Sequence, residues 1–231
     1  MKFQHDPEIW RDYPELAAGT IVASGIHADV DDSAIVARFS GIASGRLADA
    51  TESELPEIQA WRRTFAKMGL KPTQYRCASE SLLRRFRKEG SLPRIHPLID
   101  LCNAVSLAYA IPVAVFDRAN ITGDMTVRYA IGDERYLTFG GDMEHPASGE
   151  VIFADGTGNA HARRWTNRQS GLSAVRPKTA EVLIVSEAMH ETAAADIAAL
   201  IANLAEDLAA AWDGSPVTGF PTAASPIVTV A

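Results

Sequence analysis

The chain has 231 residues, 47% hydrophobic and 22% charged, a globular composition with room for one large core or two small lobes. No apolar run approaches the roughly 20 residues of a bilayer span, and MKFQHDPEIW lacks the apolar core of a secretory signal, so no membrane partner is expected. A net charge of −7 speaks against nucleic-acid binding by bulk charge, and two cysteines, Cys77 and Cys102, form no disulfide framework and fit a reducing, cytoplasmic setting.

Residues 16–27 (LAAGTIVASGIH) are small and β-branched and predict a strand. A helix follows at 53–69, with Ser53 as its cap, Leu55, Ile58, Trp61, Phe65 and Met68 at helical spacing, and Gly69 at its end. After the Lys71–Pro72 turn a second helix runs from about Ser79 to Lys88, capped by Ser79 or Ser81, with Leu82, Leu83 and Phe86 inward. Gly90 and Pro93 close it and introduce a long helix at about 94–110. There His96, Asp100 and Asn103 share one face of an otherwise apolar segment. Unpaired, such groups cost roughly 1–3 kcal/mol each, so they either knit the fold together or line a site.

Beyond Pro112 the texture changes to short β runs at 113–117, 125–131, 135–139, 149–155 and 181–187, punctuated by Gly-Asp pairs suited to hairpins. Asp155-Gly156-Thr157-Gly158 is read as one of these turns, because no helix pattern follows it as a phosphate loop would need. Residues 190–212 predict an Ala-rich amphipathic helix, and 213–231, with three prolines, a loosely attached tail. Helices grouped ahead of a strand-rich half indicate an α+β fold.

Charge is unevenly spread. From Trp61 to Arg94 ten basic residues accompany only Glu80 and Glu89, from His161 to Lys178 five accompany no acid, and the remainder carries −20. Such asymmetry marks either a polyanion-binding face or solvated helix faces balanced by neighbouring carboxylates. GxxxxGKS, HExxH, GxSxG and CxxC motifs are absent and the six histidines lack metal-ligand spacing, so neither metal nor cofactor is expected.

Three blocks, IHPLIDLCNAVSL, IPVAVFD and GDMTVRYAIGDE, resemble the pattern INxxVDxxNxxxL, QPxHAFD and GDIxVRxAxxGE of the B3/B4 editing domain in the β-subunit of bacterial phenylalanyl-tRNA synthetase. WRRTFAKMGLKPTQYRCASESLLRR at 61–85, GEVIFAD at 149–155 and RRWTNRQ at 163–169 are similar to freestanding relatives of that domain. The resemblance covers about residues 55–190 and implies one B3/B4-like domain over 1–212, with antiparallel sheets and helices packed on one side. It also implies aminoacyl-tRNA editing, in which a positioned water hydrolyses the ester without a protein nucleophile. The family's pocket His falls on Ala114, its glutamate on Val185, its first Asn on His96, and its glycine-rich AGxMGG segment on residues 165–169.

His96, one turn from Asp100, is either a general base raised and oriented by that carboxylate or the cap of its helix. Asp100 and Asn103 either frame the pocket or touch substrate. Arg163, Arg164, Trp165, Asn167, Arg168 and Gln169 are the strongest candidates: together they can grip phosphate, stack on a terminal adenine and read a base edge, or form a strand with a core Trp and surface arginines. Glu150 either reads a substrate ammonium or pairs with one of these arginines, and Cys102 reads as core. Arg62, Arg63, Lys71, Arg84, Arg85, Arg87 and Lys88 are the expected RNA-backbone contacts.

The function expected is hydrolysis of mischarged aminoacyl-tRNA in trans, with the tRNA acceptor end as partner. The alternatives are a binding module for an RNA end or amino acid that has lost hydrolysis, and a small-molecule hydrolase. Oligomeric state is not legible in the sequence.

Overall fold

The structure, a computed structural model, describes residues 1–229. In chain order it contains β1 (Lys2–His5), α1 (Pro7–Asp12), β2 (Ala17–Ser24), α2 (Ser33–Asp49), α3 (Pro56–Lys67), α4 (Ala78–Glu89) and α5 (Pro97–Tyr109). There follow β3 (Val113–Asp117), β4 (Met125–Tyr129), β5 (Tyr136–Leu137), β6 (Met143–Glu144), β7 (Val151–Ala154), β8 (Ala160–Arg163), β9 (Arg168–Gln169), β10 (Glu181–Ala188), α6 (Ala193–Trp212), β11 (Val217–Gly219) and β12 (Ile227–Thr229). The architecture is α+β.

Two sheets organise it. One has the order β11-β2-β10-β3, all antiparallel, and the other β12-β1-β4-β7-β8-β9, antiparallel except for the parallel pair β1–β4. Alternation along the strands splits the core between two faces. Ile21, Ala23, Val115, Val182 and Ile184 point toward α2, α5 and α6. Val22, Phe116, Leu183 and Val185 instead meet Phe3, Val127, Val151 and Phe153 of the second sheet, together with Trp61 and Phe65 of α3 and Leu83 of α4. A Cβ on Gly19 would lie 2.5 Å from Ile201 Cγ1 and 2.9 Å from Ile197 Cγ2, so α6 rides directly on the β2 backbone.

Several local expectations need correction. Ser53 caps no helix: Thr51 and Glu54 form a capping box around a short 3-10 turn, and Pro56 then opens α3, where its missing N–H costs nothing. Neither Ser79 nor Ser81 caps α4. Cys77 stands at its cap position, and the Ala78 amide is satisfied by the Thr166 carbonyl at 2.8 Å instead. The helix α2 carries no strong sequence signal because only Phe39 and Ala43 of its 17 residues are buried. The tail is not loose: β11 pairs with β2 and β12 with β1, supplying edge partners that those strands' backbones require. Residues 230 and 231 of that tail lie outside the described residues.

Candidate functional site

A cavity of about 60 Å³ opens where the two sheets meet. Pro112, Ala114 and Val185 wall one side and Phe153 and Ala162 the other, with the 165–169 segment across the mouth. Ala114 and Val185 are direct cross-strand partners in β3 and β10. The two positions where the family's polar pocket residues are replaced therefore face one another as an apolar pair.

The segment between β8 and β9 is a strained turn. Arg164 and Trp165 hold φ of +48° and +56°, a left-handed conformation costing roughly 1–2 kcal/mol per non-glycine residue. Hydrogen bonds offset that strain: the Arg164 amide donates to Glu150 Oε1 at 2.9 Å and the Trp165 amide to the Val151 carbonyl at 2.8 Å. The Trp165 ring is 0% exposed, edge-on to Tyr13 and Trp61 at 4.8 and 5.3 Å. It is a wall of the cavity and has no free face on which an adenine could stack.

Its neighbours divide between support and rim. Asn167 donates to the Arg76 carbonyl at 2.7 Å and Gln169 to the Val115 carbonyl at 2.5 Å, so both amides brace the cavity. Arg164 lies over the Tyr75 ring at 4.8 Å. Arg168, with its side chain 42% exposed, reaches Glu144 at 3.3 Å and is the accessible cation at the mouth. Arg163 is buried and locked to Glu150 by bonds of 2.8 and 2.9 Å and to Glu144 at 2.6 Å. Burial alone would raise the Glu150 carboxyl, but the Arg163 hydrogen bond and charge hold it below the ordinary range. Glu150 is thus a structural partner, not a free reader of an ammonium group.

Two residues at the cavity are not among the site residues expected from sequence. Glu187, buried in β10 two positions beyond Val185 on the same face, meets His5 Nε2 at 2.6 Å and accepts from Trp165 Nε1 at 3.0 Å. Thr166 also lines the cavity, and its buried hydroxyl has no partner among the described residues. The cost of a polar side chain in an apolar run, applied to EVLIVSEA as it was to α5, would have singled out Glu187.

His96, Asp100 and Asn103 are elsewhere. His96 Nδ1 accepts from the Leu98 amide at 3.2 Å as the cap of α5, and burial pushes its pKa down, against a smaller upward pull from Asp100. The expected His–Asp hydrogen bond is absent: Asp100 accepts from the Ile95 amide at 2.9 Å and pairs with Arg94 at 3.2 Å. Asp100 and Asn103 line a separate groove with Val36, Phe86, Arg94 and Leu107. Cys102 is buried core, and burial pushes its thiol and that of Cys77 up, the latter to about 11, which leaves neither a ready nucleophile.

The basic patch on α3 and α4 is largely spoken for. Arg62 forks onto Glu80 at 2.6 and 3.1 Å, Arg84 and Arg87 share buried Glu52 at 3.1 and 3.0 Å, and Arg85 meets Glu89 at 2.9 Å. Arg63, Lys71 and Lys88 are exposed and without an ion pair among the described residues. Among the described residues no group of three or more His, Cys, Asp or Glu could hold a metal, and no helix is long and apolar enough to cross a membrane.

Comparison with known proteins gives the family and the fold. The profile of the B3/4 domain family matches residues 60–207. The phenylalanine–tRNA ligase beta subunit of Shewanella oneidensis is 32% identical over 90 residues, which are 38% of this chain and 11% of that protein. An N-terminal fragment of the phenylalanyl-tRNA synthetase beta-subunit from Pyrococcus horikoshii superimposes with a TM-score of 0.50 at 10% identity, over 93% of this chain and 49% of that one, a likeness of fold. The chain therefore spans about a tenth of the curated relative and half of the structural one. It belongs to the B3/4 domain family.

Proposed function

We propose that the protein hydrolyses mischarged aminoacyl-tRNA in trans, receiving the acyl group in the cavity between the two sheets. The observation that carries the reading is the meeting of an apolar wall, Ala114, Val185 and Phe153, with a mouth bearing one accessible cation, Arg168. An acyl group needs the wall, and the terminal phosphate or developing oxyanion needs the cation. Water adds to the ester carbonyl, the ribose oxygen leaves with a proton, and free amino acid and tRNA result. Both cysteines are buried, which suits a route without a covalent acyl-enzyme. Arg63, Lys71 and Lys88 supply the free charge that would hold the acceptor stem. Work on tRNA would place the protein in the cytoplasm.

A binding module without hydrolysis is the second reading, favoured by the apolar pair Ala114–Val185 where the family pattern has polar groups. A deacylation screen over mischarged tRNAs separates the two. Arg168→Ala should slow hydrolysis by at least about tenfold, as loss of a positioned cation does, while leaving thermal stability within about 0.5 kcal/mol. Binding of tRNA with no ester cleaved above the uncatalysed rate would leave only the module.

A further inference from the structure

The cavity is narrow for an amino-acid pocket. At about 60 Å³ it is less than half the roughly 150 Å³ of an engineered apolar cavity that holds benzene. A hydroxymethyl or hydroxyethyl side chain fits that space and an aromatic ring does not. The opposed Ala114 and Val185 set the width from one sheet, and Phe153 and Ala162 set it from the other. Inside the mouth formed with Asn167, Arg168 and Gln169, two buried polar groups face this apolar box: the Glu187 carboxyl and the unpartnered Thr166 hydroxyl. His5 and Trp165 each occupy one Glu187 oxygen, at 2.6 and 3.0 Å, and each oxygen can accept a second bond.

We infer that the cavity selects a small hydroxylated aminoacyl group, that of serine or threonine, whose hydroxyl donates to Glu187. His5 is the positioning residue that fixes the Glu187 carboxyl at the cavity floor, and Ala114 with Val185 is the size filter. What the acyl group is attached to rests on the deacylase reading; the shape and polarity of the cavity do not.

The test uses 3′-amino-3′-deoxyadenosine carrying seryl, alanyl or phenylalanyl groups through a stable amide, titrated calorimetrically into the intact protein. A site built to bond a hydroxyl rejects the analogue lacking it strongly, so the seryl compound should bind at least about tenfold tighter than the alanyl one, and the phenylalanyl compound should not compete. Glu187→Gln and, separately, His5→Gln should lower the seryl-to-alanyl ratio, with circular dichroism reporting on folding. Equal affinity for seryl and alanyl compounds, tight phenylalanyl binding, or no binding of any of them overturns the inference. Parallel hydrolysis of the corresponding tRNA esters keeps the two readings distinct. Seryl-selective binding without hydrolysis removes the deacylase and supports the selectivity, whereas equally fast cleavage of seryl and phenylalanyl esters does the reverse.

Discussion

His96 illustrates how a polar residue in an apolar helix comes to be structural. Its Nδ1 accepts from the Leu98 amide, a bond that only a deprotonated Nδ1 can make, and burial depresses its pKa. The unfolded imidazole, near its ordinary value of about 6.5, takes up a proton before the folded one does. The cap's contribution is therefore complete above that value and is lost as pH falls through the depressed folded pKa. His96→Ala should cost about 1 kcal/mol of stability with hydrolysis rates unchanged. His96→Asn, which caps without titrating, should gain on the wild type in denaturant melts as pH drops from 7 to 5. Parallel pH curves for the two proteins would show that the cap does not titrate.

At the scale of elements, periodicity made α3 to α6 and the principal strands legible, because their apolar stripes are long and regular. Less regular pieces were not. The helix α2 exposes most of its surface, and the short strands β11 and β12 hide among prolines whose composition suggests a loose tail. Both strands exist because β1 and β2 have open edges, a demand made by distant chain that no local pattern records. The candidate site was legible in part for the same reason. RRWTNRQ stood out by composition, but which of its members face solvent depends on the left-handed turn at Arg164 and Trp165 and on Glu150 below it. Close packing of β2 on α6 yields a direct prediction. Gly19→Ala, which thrusts a methyl into Ile201, should destabilise by about 1–3 kcal/mol in equilibrium unfolding, and a neutral result would mean that α6 can lift from the sheet.

Over the whole molecule, charge segregation in sequence overstates charge available in space. Of the seven cations expected at RNA, Arg62, Arg84, Arg85 and Arg87 are committed to carboxylates, two of them to a single buried Glu52. The proposed binding of tRNA should therefore release few counterions: with Arg63, Lys71, Lys88 and Arg168 engaged, a plot of log Kd against log salt should have a slope of magnitude about 4, whereas all seven and Arg168 would give about 7. A steeper slope would mean that these ion pairs open on binding.

The two sheets, the strained turn and the paired strands β3 and β10 converge on one small cavity, while Asp100 and Asn103 belong to a groove on the helical side and His96 caps α5. A crystal structure of the protein with the stable seryl-adenosine amide distinguishes these places directly. The acyl group should lie between Ala114, Val185 and Trp165, with its hydroxyl on Glu187 and the adenosine at Arg168. Ligand seated instead beside Arg94, Asp100 and Asn103, with the inter-sheet cavity empty, would contradict the assignment of the site.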